Sequence, residues 1–294
     1  MTLEDLQRHL DKIMQEMNRK SKPEFEGYSP EEMTAILYSA FYQKSPVQFK
    51  HLTDADCERV PIFNQIKYLA GVIADKGEIQ LTKKGFLPVK VVADLYEQGF
   101  MKDDLIEAGI NKLHKEADSL VINLAHILLK ISGLAKTHHG KLSLTKAGEK
   151  TIADNNKLLQ LIFNIFATKL NWAYFDGYGQ NDVGQLGVRF TLILLSKYGS
   201  ERRRDHFYAE KYFKAFPALL EAKAPTMFGD TLTDFNRCYS MRIFDRFLNF
   251  FGFVDTEPAD KQGLFVRKFF VTKTSLLDKF VEIQPPRPDF SLKA

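Results

Sequence analysis

One phrase, written three times along the chain, limits what this sequence can fold into. It reads Tyr68-Leu-Ala-Gly-Val-Ile-Ala-Asp-Lys-Gly-Glu-Ile-Gln-Leu-Thr-Lys-Lys-Gly85, and returns as Leu129-Lys-Ile-Ser-Gly-Leu-Ala-Lys-Thr-His-His-Gly-Lys-Leu-Ser-Leu-Thr-Lys-Ala-Gly148. A longer version runs from Phe250-Phe-Gly-Phe-Val-Asp255, through a turn, to Phe269-Phe-Val-Thr-Lys-Thr274. The closing threonines, Thr82, Thr145 and Thr272, are 63 and then 127 residues apart. The second interval is close to twice the first, as a structural repeat requires.

Each copy has the same physical reading. Gly71, Gly133 or Gly252 ends a helix, because glycine tolerates the left-handed conformation of a C-cap. An alternating segment follows, then a turn at Lys76-Gly77, His139-Gly140 or Gln262-Gly263, then a second alternating segment ending in Thr-Lys. That pattern predicts a helix followed by a β-hairpin. Strands so short need helices to pack on, and three precede each hairpin. In the first copy, Ser29-Pro-Glu-Glu32 is a capping box opening a helix to about residue 43; a short helix opens at Leu52–Asp56, and Pro61 starts a third. The second copy has helices over 89–98, 103–114 and 119–132, and the third over 185–198, 206–220 and 233–251.

Three helices and a hairpin resemble the winged helix-turn-helix superfamily, and SGLAKTHHGKLSLTKAGEK resembles the last helix and wing of bacterial modules of that kind. The resemblance covers about residues 25–152 and 184–283. It implies a mainly α fold with small β-hairpins, in three tandem winged-helix-like modules. The expected divisions are an N-terminal helix (1–24), module 1 (25–88), module 2 (89–152), a connecting helix with a Gly-rich loop (153–183), module 3 (184–283) and a tail (284–294). The resemblance also implies DNA binding through the third helix and wing, although some members bind proteins instead, and fold alone does not choose.

Between modules 2 and 3, the segment 157–172 (KLLQLIFNIFATKLNW) is apolar on most faces. Such a helix is buried, either as core between modules or as a seam for a protein partner or self-association. The N-terminal helix carries a stripe at Leu3, Leu6, Leu10, Ile13 and Met17, which predicts a helix packed through that stripe.

Charge separates the modules. Residues 184–282 hold 16 Lys/Arg against 12 Asp/Glu, whereas residues 1–183 hold 23 against 24. The excess therefore falls on module 3, and so do the candidate nucleic-acid-binding residues. Arg202, Arg203 and Arg204, with the wing cations Arg267 and Lys268, are expected to hold phosphates. Asn236 and Arg237 on the third helix are expected to face base edges. The competing reading is a solvated loop flanked by Glu201 and Asp205, with Arg242, Asp245, Arg246 and Asn249 forming a salt-bridged helix face.

Other chemistries find little support. The loop Asp176–Gly187 has four glycines but neither dinucleotide nor phosphate-loop spacing. It reads as a connector, or more weakly as a small-molecule sensor lined by Tyr174, Phe175 and Tyr178. His138 and His139 are adjacent at a wing tip and point apart, unlike a zinc pair, and His126 reads as a hydrogen-bonded core residue. No nucleophile, kinase or metalloprotease motif appears. The expectation is a non-enzyme with no cofactor and no metal. Two distant cysteines, Cys57 and Cys238, suit a reducing, cytoplasmic setting, and no apolar run reaches the roughly 18 residues of a membrane span. The functional readings are a DNA-binding protein of regulator type, a winged-helix interaction scaffold without DNA binding, or a sensor.

Overall fold

A strand of two residues decides the architecture. Ile79–Gln80 pairs antiparallel with Lys141–Leu144, in the register Ile79↔Leu142 and Gln80↔Lys141, and that strand pairs on its other side with Ala135–His138. The sheet order is therefore first, third, second along the chain. The hairpin expected to close after Lys76-Gly77 does not form. Instead Thr82 to Phe86 is a turn, in which the Thr82 N–H donates to the Phe86 carbonyl and the Gly85 N–H to the Thr82 carbonyl, both at 2.8 Å.

The computed structural model describes residues 2–39, 45–221, 231–259 and 268–288. The fold is mainly α with small antiparallel sheets. Among the described residues, no helix is long and apolar enough to cross a membrane. Two units are distinguished: 1–50 with 180–244 and 254–294, and 51–179 with 245–253. The expected first module, 25–88, is thus shared between units, whereas 51–88 and 89–152 lie together in the second.

In the second unit, helix Pro61–Lys76, strand Ile79–Gln80, helices Val89–Glu97 and Leu120–Ile131, and the hairpin Ala135–His138/Lys141–Leu144 follow in order. In the first unit the same order recurs as helix Val188–Tyr198, strand Arg203–Arg204, helices Asp205–Ala215 and Thr231–Ser240, and strands Val254–Pro258 and Phe269–Lys273. There too the sheet order is first, third, second. Among the described residues this arrangement occurs twice.

The repeated phrase does different work in its copies. Thr145 caps helix Lys146–Ile152, accepting the Gly148 N–H at 2.8 Å and donating to the Gly133 carbonyl at 2.8 Å. Gly148 packs so closely on the preceding turn that a Cβ would lie 2.1 Å from the Leu134 carbonyl oxygen. Gly85, its counterpart, has nothing within 4 Å and serves a turn at φ +81°. In the third copy it is Thr274 that stands before helix Ser275–Phe280.

The connecting segment forms helix Asn155–Thr168, whose Leu158, Leu159, Ile162, Phe163, Ile165 and Phe166 are buried within the second unit. Phe163 lies 4.9 Å from Phe247 and 5.1 Å from Phe251, centroid to centroid, and Phe166 stacks on Phe247 at 4.7 Å. Trp172 closes the cluster, its indole N–H donating to the Phe166 carbonyl at 2.8 Å. Of the two roles expected for 157–172, core or association seam, its apolar residues serve as core within the second unit. The N-terminal helix Leu3–Arg19 shows the reverse: it has no buried residue, and its apolar stripe faces outward.

Two substitutions test this packing. Phe163→Ala is expected to cost about 3–5 kcal/mol, read as a lowered urea midpoint of the second unit. Gly148→Ala is expected to destabilise as well, because the obstructing atom is backbone; a midpoint unchanged by it would contradict the packing.

Candidate nucleic-acid interface

The cations predicted in the first unit are present but largely engaged. Arg202 donates through Nε to Glu257 at 2.9 Å, and its guanidinium lies 3.5 Å from the centroid of the Phe270 ring. Arg203 pairs with Glu201 at 2.5 Å and lies over the Phe207 ring at 4.6 Å. Arg204 and Lys268 are exposed; Arg267, with Lys261 and the turn Gln262-Gly263, lies outside the described residues. On the third helix, Arg237 is half-buried beside Asp234 at 3.6 Å, and the Asn236 side-chain Oδ1 is buried. Both residues are partly exposed.

A π-helix explains why the helical-wheel reading fails there. Helix Thr231–Ser240 continues as π-helix over Met241–Leu248. Its i→i+5 hydrogen bonds close wider turns, so a 3.6-residue spacing no longer groups side chains on one face. Arg242, expected on a polar face with Asp245 and Arg246, is instead only 2% exposed. It donates through Nη1 to the Asn181 carbonyl at 2.9 Å, to Asn181 Oδ1 at 2.7 Å and to the Val183 carbonyl at 3.1 Å. Tyr212 holds the same loop, accepting the Gly184 N–H at 3.0 Å and donating to the Leu186 carbonyl at 2.5 Å. Gly187 lies against Phe216, where a Cβ would come within 2.6 Å of the ring. In the first unit, the Gly-rich segment from residue 181 is thus clamped to its own helices.

The third helix of the second unit is buried too. In Leu120–Ile131, the residues Val121 to His126, Leu128 and Leu129 are all inside. Its polar groups converge on Glu116, itself 1% exposed. Asn123 Nδ2 donates to that carboxylate at 2.8 Å, and His126 Nδ1 is 2.9 Å from it. The Leu87 N–H also donates to it, at 2.5 Å. His126 is therefore a hydrogen-bonded core residue.

The wing of this unit is different. Strand alternation turns Ile79, Leu142 and Ala135 toward the core, where all three are buried. The same alternation places Gln80, Lys141 and His138 in one cross-strand row on the outer face, beside Lys136 and Ser143. His139 and Gly140 connect the strands with φ of +48° and +73°, as a tight two-residue hairpin turn requires. The two His rings do not point apart; their centroids are 3.9 Å apart, edge to face. Lys83 and Lys84 stand exposed in the turn after Leu81, whose N–H donates to the Gly140 carbonyl at 2.8 Å. Lys141 pairs with Glu78, and Lys130, Lys136, Lys146 and Lys150 are exposed.

Residues 58–157, about a third of the chain, match the family model described as the Y4jL N-terminal domain. No curated protein and no solved structure matches the chain. The matched segment spans the whole helix–strand–helix–helix–hairpin arrangement of the second unit, including its lysine-bearing wing.

Summing charge over 1–183 hides this surface. Residues 76–90 and 130–150 together hold nine Lys against two Glu, and acids elsewhere in the unit cancel the excess. A local count is the signal that finds it. Among the described residues, no group of three or more His, Cys, Asp or Glu is placed to hold a metal ion.

Two measurements probe the clamps of the first unit. Arg242→Ala leaves buried carbonyls unpaired and is expected to cost about 2–4 kcal/mol, with faster proteolysis around 181–187. Glu26 tests the pH dependence. Burial pushes its carboxyl up, but hydrogen bonds from Lys197, Lys211 and Tyr198 outweigh this and hold it below its ordinary range. A depressed pKa gives stability that is present above the unfolded value and lost as pH falls through the folded one. The stability gap between the parent and Glu26→Gln should therefore shrink as pH falls from about 6 to about 3.

Proposed function

We propose that the two repeats are winged-helix units and that the protein binds nucleic acid by its phosphate backbone, chiefly through the Ala135–Leu144 wing. The observation that carries this is the outer face of that sheet, where Lys136, Lys141 and His138 stand in adjacent rows with Lys83 and Lys84 nearby in the turn after Leu81. Cations on a hairpin and neighbouring turn suit phosphates, which need point charges rather than a shaped reading surface. Burial of helix Leu120–Ile131 argues for contact without base readout, since sequence reading needs side chains free to reach base edges.

The third module has a lesser part in this reading than its net charge suggests. Arg204 and Lys268 extend the positive surface of the first unit. Arg202 and Arg203 are paired with acids, as Lys141 of the wing is with Glu78, but the wing also holds the exposed Lys136, with the exposed Lys83 and Lys84 nearby. A second reading, an interaction scaffold without DNA binding, is favoured by the burial of helix Leu120–Ile131 and by the inward Arg242 of the π segment.

Retention of a fluorescent duplex by the full chain distinguishes these. The phosphate reading predicts binding whose log K falls linearly with log salt, with a slope of about −3 if three or four phosphates are neutralised. Lys83/Lys84/Lys136/Lys141→Ala should weaken binding about tenfold or more and equally on unrelated duplexes. Arg202/Arg203/Arg204→Ala should do less. The opposite ranking would return the contact to the third module, and absence of salt-dependent retention would favour the scaffold.

A further inference from the structure

Among the described residues, the N-terminal helix groups several exposed apolar side chains into one stripe. Leu3, Leu6, Leu10, Ile13 and Met17 are between 39% and 89% exposed. Their spacing is three, four, three, four, the a/d seam of a heptad repeat, and Met14, 59% exposed, widens it on one side. The helix is also secured as a separate element. Thr2 and Asp5 form a capping box at its start, and Arg19 pairs with Glu31 at 3.1 Å near its end.

Its charges are polarised along the axis. Within Leu3–Arg19, residues 3–11 carry Glu4, Asp5 and Asp11 against Arg8, and residues 12–19 carry Lys12 and Arg19 against Glu16, with Lys20 just past the helix end. A second copy laid parallel would set acidic half on acidic half and basic on basic. Laid antiparallel, each acidic half meets a basic one. The antiparallel register also fills the seam, placing Leu6 against Met17 of the second copy and Leu10 against Ile13, with His9 and Glu16 facing along one edge.

We infer that this helix is a self-association element that pairs antiparallel with the same helix of a second copy. The pairing is isologous, since each contact occurs twice about a two-fold axis. It is also weak. A seam of 17 residues covers roughly 1,000 Å² in total, at or below the low end of stable interfaces. The inference does not depend on nucleic-acid binding.

The test is the mass of the full chain by sedimentation equilibrium, up to on the order of 100 μM. The parent should shift from monomer toward dimer as concentration rises. Leu6→Asp/Leu10→Asp should stay monomeric at every concentration with an unchanged melting curve, because neither side chain is buried. Orientation is read by oxidation. Leu6→Cys copies mixed with Met17→Cys copies should form the mixed disulfide, while Leu6→Cys copies alone should not crosslink. A parent that stays monomeric, a dimer that survives Leu6→Asp/Leu10→Asp, or crosslinking of Leu6→Cys copies to each other would each overturn the inference.

Discussion

Everything in the second unit depends on where a strand of two residues finds its partner. Two backbone ladder positions are too few to stabilise a hairpin, so Ile79–Gln80 takes its hydrogen bonds from Lys141–Leu142, some 60 residues on. That pairing encloses helices Val89–Glu97 and Leu120–Ile131 in one arrangement with helix Pro61–Lys76. It buries Ile79 and Leu142 under the sheet, and so fixes which side chains of the hairpin face outward. The lysine-bearing face follows from core packing, not from any feature of the lysines themselves.

The third helices of the two repeats turn polar groups inward for two different reasons. Helix Leu120–Ile131 is apolar almost all round, and its few polar groups are gathered on Glu116. The helix from Thr231 begins as a polar sequence, yet its widened π segment brings Arg242 inside, where a loop of carbonyls satisfies the guanidinium. A planar guanidinium suits such a cluster because its donors diverge in a fixed geometry. In each case the helix is committed to holding its own unit together.

Much of the fold was legible in the sequence. The capping box at Ser29–Glu32, the wing at residues 135–144 and the burial of the connecting helix follow from periodicity and cap chemistry. What failed were inferences that need tertiary information. Leu81-Thr82-Lys83-Lys84-Gly85 and Leu144-Thr145-Lys146-Ala147-Gly148 look alike, but only Gly148 abuts a backbone carbonyl; the other glycine merely turns the chain. The apolar stripe of the N-terminal helix has the same residues whether it packs or stands free. The π segment has no sequence signature, so Arg242 looked exposed. The lysines of the 135–144 wing escape a coarser reading for a simpler reason: charge summed over a long segment conceals a local surface.

A wing that holds phosphate must become inaccessible when nucleic acid is bound, and lysine acylation reads this residue by residue. With a duplex in excess at low salt, Lys83, Lys84, Lys136 and Lys141 should be protected, and the protection should disappear at high salt. Lys197 and Lys211, already bonded to Glu26, should be unchanged. Protection of Lys268 with no change at Lys136 and Lys141 would contradict a contact centred on this wing.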